Sequence, residues 1–205
     1  MKLALIIFTC LFISSTTISL SQSANEKKAD RKYELMEYVD ALEYYKKAEE
    51  KKPSDVTKIK LAKSYRKLNN IVKVEEWYAK VEDKELMSHA DHYEYAQALS
   101  ANGKYKQAEK WFTKYLGEEL TDSRSKEKIY TVTHVDDYYV DSANYTIIDL
   151  PEVNSEFSEF GPCLYEGGIL FVSNRSAEFG VKHKYKWDNS HFLDVYFAER
   201  GDSAK

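Results

Sequence analysis

The stretches AKSYRKLNNIVKVEEWYAKV, Ala62 to Val81, and AQALSANGKYKQAEKWFTKY, Ala96 to Tyr115, align without a gap at an offset of 34 residues. An earlier copy, ADRKYELMEYVDALEYYKKA from Ala29 to Ala48, stands 33 residues before the first of them. Repetition at this period marks an array of stacked units, each of which buries its apolar side against its neighbours.

The matched positions say what each unit is. A small residue opens every copy (Ala29, Ala62, Ala96), a bulky one follows nine positions on (Tyr38, Ile71, Tyr105), and a small one twelve on (Ala41, Val74, Ala108). An aromatic pair comes next: Tyr44-Tyr45, Trp77-Tyr78, Trp111-Phe112. Helices that cross closely need Ala or Val where their backbones approach and a ring where a gap opens, so each copy reads as a helix hairpin. Pro53 closes the first copy. Asn69 and Gly103, both tolerant of left-handed backbone, hold the turn between the two helices of their copies. Met36 is a poor match there, and a looser first turn is expected.

The spacing and the 34-residue period resemble the tetratricopeptide repeat over Ala24 to Leu116. That resemblance implies stacked helix pairs whose concave face is lined by the first helix of each pair. Its groove candidates are Asp30, Tyr33 and Glu34, then Ile59, Lys63, Arg66 and Lys67, then Tyr93 and Gln97. They would bind an extended peptide or a partner helix; the plainer reading of the same residues is a solvated face. The carboxylate clamp of some relatives is not reproduced, since Asp30 stands where a clamp Asn belongs, and a receptor for chaperone tails is not expected.

Outward from the repeats, TDSRSKEKIYTVTHVDDYYV keeps Ile129, Val132 and Val135 on one side of a helix begun by Thr121 or Asp122. A repeat stack needs such a helix to cover its last unit. From Asn144 the pattern changes to alternation, Pro151, a Gly167-Gly168 turn and a further strand-like run from Phe192 to Ala198. So few strands bury too little to fold alone. The apolar faces of Ile169, Phe171, Val195 and Phe197 are expected to lack cover.

The run NSEFSEFGPCLYEGGILFVSNR, followed by YKWDNSHFLDVYFAE, resembles the opening of the WD40-like, TolB-type propeller of PorE-like proteins, an OmpA-family group associated with the outer membrane and linked to type IX secretion. In that group the order is signal, tetratricopeptide repeats, propeller, a carboxypeptidase-regulatory-like domain and an OmpA-like peptidoglycan-binding domain. A propeller blade runs about 40–45 residues, so the resemblance implies an N-terminal fragment that stops within its first blade.

At the other end, MKLALIIFTCLFISSTTISLSQSA has one Lys, a short apolar run and small residues, the pattern of an export signal cleaved after Ser21 or Ala24. The apolar run is shorter than the roughly 20 residues that span a bilayer. Cys10 falls inside this segment, too early for a lipoprotein cysteine, which leaves Cys163 alone in the mature chain and no intrachain disulfide. The whole chain, 205 residues with 43% apolar and 14% aromatic residues, has material for one or two small domains. A formal charge of −4 gives no general attraction to nucleic acid.

The expected organisation is thus α+β in sequence order. Residues 1–24 form a signal peptide, 25–118 an all-α solenoid of about three hairpins, 119–140 a capping helix, 141–159 a linker, and 160–205 an incomplete antiparallel propeller blade.

Sites for chemistry are sparse. His89 and His92, with Asp91 and Glu94, have i, i+3 helical spacing but no third ligand, and read as solvated surface rather than a metal site. Cys163 could meet His183 or His191, yet reads as an inert buried thiol. Arg175, in the polar Ser173-Asn174-Arg175 loop near Glu178-Phe179-Gly180, reads as the partner of an acidic neighbour. The sequence has no G-x-S-x-G, no H-E-x-x-H and no phosphate-binding glycine loop.

No catalytic residue, cofactor or metal is expected, and the resemblance implies a non-enzymatic exported scaffold in the periplasm at the outer membrane. Its partners would be envelope proteins or peptide segments bound in the repeat groove. Peptidoglycan would be reached only through a domain outside this chain. The alternative is the regulatory front of a secreted peptidase whose catalytic domain lies beyond Lys205.

Overall fold

The computed structural model describes residues 23–118, 123–151, 153–175 and 183–201. Residues 1–22 of the signal peptide expected at 1–24, Thr121, Asp122 and the Glu178-Phe179-Gly180 stretch lie outside them. Three helix hairpins come first: α1 (Ala24–Glu34) with α2 (Tyr38–Lys51), α3 (Asp55–Lys67) with α4 (Ile71–Ala79), and α5 (His89–Ala101) with α6 (Tyr105–Glu118). α7 (Ser123–Thr133) packs on α6 and is followed by two 3-10 turns, Val135–Tyr139 and Ser142–Asn144.

Each hairpin starts and turns in the same way. Ser23, Ser54 and Ser88 cap α1, α3 and α5, their hydroxyls accepting the N–H groups of Glu26, Thr57 and Asp91. Such a cap satisfies one of the four orphan donors of a helix start. At the other end Met36, Asn69 and Gly103 all have positive φ (60°, 55° and 75°). The next residue of each copy closes the turn, Glu37 donating to the Lys32 carbonyl, Asn70 to Tyr65 and Lys104 to Leu99. These are three copies of one Schellman motif. The first turn is therefore no looser than the others: Met36 adopts the left-handed backbone that its neighbours' bonds require, in spite of its Cβ.

The small positions sit where two helices meet. Ala29, Ala41, Ala62, Val74, Ala96 and Ala108 are completely buried. Tyr45, Tyr78 and Phe112 fill the core beside them, while Tyr44, Trp77 and Trp111 pack half-buried at its border. On α7, Val132 is buried and Ile129 half-buried, whereas Val135 lies past the helix in the first 3-10 turn.

The β segment is a three-stranded antiparallel sheet in the order β1 (Glu159–Tyr165), β2 (Gly168–Ser173), β3 (Asp194–Glu199). Glu166 and Gly167, both at positive φ, make the turn between β1 and β2. Gly168 is required for a different reason, because a Cβ there would collide with the Ala198 carbonyl oxygen. The described residues thus hold a small antiparallel sheet, which has the strand pairing expected of this segment but does not by itself make it a propeller blade.

Phe171 is buried, with the Arg175 guanidinium 5.1 Å from its ring and the Tyr196 ring stacked at 5.8 Å. Ile169 is half-buried, while Val195 and Phe197 are exposed, so cover is missing on only part of the expected apolar surface. At the same end of the sheet, Glu159 accepts hydrogen bonds from Ser155, Ser173 and Arg175. The Ser155 hydroxyl first, aided by Arg175 and Ser173 and opposed by desolvation, holds the Glu159 carboxyl down at about 2. Arg175 thus has the acidic partner expected of it.

A tight turn between β2 and β3 ties the sheet to the hairpins. The Lys184–His191 bridge and the Tyr185 N–H to Ser190 bond shape this turn. Its Trp187 indole N–H donates to the Lys67 carbonyl at 2.9 Å, and the ring meets Tyr38 edge-on at 4.6 Å. Lys186 pairs with Glu37 at 3.1 Å.

Candidate interaction groove

α1, α3 and α5 carry the candidate groove residues, because the 34-residue period returns the first helix of each pair to the same side of the stack. A cleft of about 290 Å³ opens between the first two units, lined by Asp30, Tyr33, Glu34, Tyr45, Lys60 and Lys63. Four of these are sequence candidates. Tyr45 and Lys60 were missed. Lys60 had a legible signal, one turn before Lys63 on α3; Tyr45 had none, since it belongs to the second helix of its pair and reads as core.

The charges of this face are ordered in rows. Lys60 bridges back to α1, 3.1 Å from Glu26 and 2.9 Å from Asp30, while Tyr45 donates to Asp30 at 2.5 Å. Lys63 reaches forward to α5, 3.1 Å from Asp91. Arg66 donates to Gln97 at 3.4 Å, a long bond that still joins the second unit to the third. A basic central helix is thus flanked by acidic and amide groups on both sides. Burial, and then the nearby Tyr38, Glu94 and Asp91, push the Tyr33 phenol up to about 12, so it stays a hydrogen-bond donor at any physiological pH.

Other candidates go elsewhere. Ile59 is buried in the core and does not line the cleft. Tyr93 turns towards α6 of its own hairpin, its ring against Phe112 and Tyr115, with the Arg124 guanidinium of α7 at 5.8 Å. Lys67 is exposed, and its carbonyl receives the Trp187 indole. The cleft therefore gathers Asp30, Tyr33, Glu34 and Lys63, with Arg66 and Gln97 linked further along.

The histidine cluster is also corrected. Asp91 and His92 are buried, not solvated, because α5 is the inner helix of its hairpin and these positions face α4 and α6. The His92 ring lies 5.3 Å from Trp111, and His89 stacks on Tyr115 at 4.0 Å. Asp91 is a structural hub: its carboxylate takes the Ser88 N–H at 2.8 Å, the Ser88 hydroxyl at 2.5 Å and the Tyr78 hydroxyl at 2.8 Å. Burial pushes its pKa up, but the Ser88 and Tyr78 hydrogen bonds and the Lys63 charge outweigh it and hold the carboxyl below its ordinary range. The Tyr78 phenol is pushed up by burial and by Glu94 and Asp91. Cys163 is exposed on β1 rather than buried, because the sheet leaves that strand's surface in solvent. Among the described residues, no group of three or more His, Cys, Asp or Glu is placed to hold a metal ion.

No protein-family model matches this chain, and no curated protein matches it. Among solved structures it is similar to the first TPR of Spaghetti (RPAP3) bound to HSP90 peptide SRMEEVD, at TM-score 0.44 and 15% identity over 55% of this chain and 90% of that one. It is likewise similar to the Sgt2 TPR domain from Aspergillus fumigatus, at TM-score 0.44 and 17% identity over 64% of this chain and 89% of that one. The three capped hairpins of this chain, not these likenesses, carry its repeat fold.

Proposed function

We infer that the chain is a non-enzymatic protein-interaction scaffold whose α1–α3–α5 face receives an extended segment or a helix of a partner protein. The observation that carries this reading is the cleft of about 290 Å³ on that face. Its charged groups are held in place by bonds between units, so a partner meets ordered donors and acceptors and little ordering entropy is lost on binding. Exposed Glu34 and the Tyr33 hydroxyl stand at the cleft and offer an acceptor and a donor.

The setting we infer is the periplasm, at the outer membrane, with envelope proteins as partners. The signal-like residues 1–24 and the order of repeats before a sheet support it, as does the resemblance of the sheet segment to PorE-like proteins of type IX secretion. In that reading the sheet begins a propeller, and peptidoglycan attachment belongs to another domain.

Site-specific photocrosslinking in cells tests the groove. Probes replacing Glu34 and Gln97 should link to a discrete partner, while probes at exposed Glu43 and Lys106, on the second helices, should not. Equal linking from both sets would overturn the groove reading. Fractionation with N-terminal sequencing tests the setting: a mature start between Gln22 and Asn25 in the envelope fraction is expected, and an intact Met1 in the cytosol would refute it.

A further inference from the structure

Residues 145–150, Tyr-Thr-Ile-Ile-Asp-Leu, follow the second 3-10 turn and belong to no helix or strand. Three of their side chains stand in solvent, Ile147 97% exposed, Ile148 77% and Tyr145 76%, while the Asp149 carboxylate accepts from the Asn154 amide and Leu150 is partly covered. Among the described residues, Thr146, Ile147 and Ile148 make no hydrogen bond. β-branched and aromatic residues in succession fit a pleated, half-buried surface, and an adjoining run of them in water is a strand without a sheet.

The sheet holds the complement. β3 bonds to β2 in unbroken register from Asp194 to Glu199, and among the described residues no strand pairs with its other edge. β1 is the opposite edge strand, but its register shifts between Phe160 and Cys163, where Gly161 has φ 63° and Pro162 has no N–H to offer. An added strand is therefore accepted at β3. A second β3 would be a poor guest, since antiparallel self-pairing sets Asp194 opposite Glu199 at both ends. Residues 145–150 laid antiparallel along β3 instead set Ile147 opposite Phe197 and Ile148 opposite Tyr196, with no like charges facing.

We propose that, in place of the next strand of the propeller reading, residues 145–150 of one copy add to the β3 edge of a second copy, reciprocally, to give a two-fold dimer joined through two four-stranded sheets. Among the described residues of a single chain, neither half of this pairing has a strand partner. The residues just after the segment are tied down, the Leu150 carbonyl accepting from Val153 and Asn154, and the Val153 carbonyl from Arg175. One copy thus presents a donor strand and an acceptor edge of the same length.

Sedimentation of the full chain over a range of concentrations tests this. The wild-type mass should double as concentration rises. Ile148→Pro, at a position 77% exposed in the monomer, should hold the mass at one copy with the helical circular dichroism unchanged. In a Cys163→Ser background, Ile147→Cys copies mixed with Phe197→Cys copies should form a disulfide-linked pair. A wild type monomeric at every concentration, or a dimer that Ile148→Pro leaves intact, would overturn the proposal. So would a chain carrying both new cysteines that closes the bond within itself. None of these changes touches the groove, so the result stands apart from that of the crosslinking.

Discussion

Met36, Asn69 and Gly103 share one left-handed turn geometry, and only Gly103 has no Cβ to oppose it. Left-handed backbone costs an ordinary residue roughly 1–2 kcal/mol, partly offset by the greater chain entropy that glycine loses on folding, about 0.5–1 kcal/mol. Met36→Gly should therefore raise stability by up to about 1 kcal/mol, and Gly103→Ala should lower it by about the same, both read by urea denaturation. The space around Gly103 is open, so its loss would come from φ alone. Asp91 makes a second residue-scale prediction. Its folded carboxyl is held below the ordinary range, so it stabilises the fold above about pH 4, the unfolded value, and that contribution is lost as pH falls through the lowered folded value. Asp91→Asn should cost about 2–3 kcal/mol at neutral pH and flatten the acid limb of the stability profile. An acid limb as steep as that of the wild type would mean that another group sets it.

Between elements, the hairpins are held by close approach and the sheet by a few directed contacts. Ala108 is completely buried on α6, whereas its neighbour Gln107 is exposed. Ala108→Trp should overpack the third hairpin and cost about 1–3 kcal/mol or more, while Gln107→Trp should leave the melting temperature nearly unchanged; equal melting temperatures would mean a different register. The turn at 184–191 rests on the Trp187 hydrogen bond and its ring contact with Tyr38, each worth about 1 kcal/mol. The Lys186–Glu37 pair adds little, since Lys186 is 81% exposed. Trp187→Ala should therefore release the turn, seen as faster amide exchange at Tyr185 and Asn189, with α3 unchanged.

For the molecule as a whole, the two parts should differ in cooperativity. The hairpins share one continuous core from Ala29 to Val132, while Phe171 is the one buried hydrophobic residue among the described sheet residues. Hydrogen exchange should show strong protection across the helices. Residues 169–172 and 193–197 should exchange fast in dilute protein and become protected as concentration rises. Strong, concentration-independent protection of those strands in a monomer would make the sheet a self-sufficient module.

The hairpins were legible in the sequence because helix packing is local: the spacing of Ala, Val and aromatic residues that fixes each crossing lies within some twenty positions, and the period repeats it. The capping serines Ser23, Ser54 and Ser88 were missed, though a serine just before a helical run is a signal the sequence carries. Sequence also delivered four of the six cleft residues, because a repeat returns equivalent positions to one face. What only the tertiary structure decided was the environment of single positions. Ile59 and Asp91 have groove-like or solvated spacing, but the packing of α3 and α5 against their neighbours buries both. Met36 takes the left-handed turn because the hydrogen bonds around it demand that backbone whatever the side chain. The contact of Trp187 with Tyr38 and Lys67 joins residues more than a hundred positions apart, where no periodicity reaches, so the seat of the sheet on the repeats was set by packing alone.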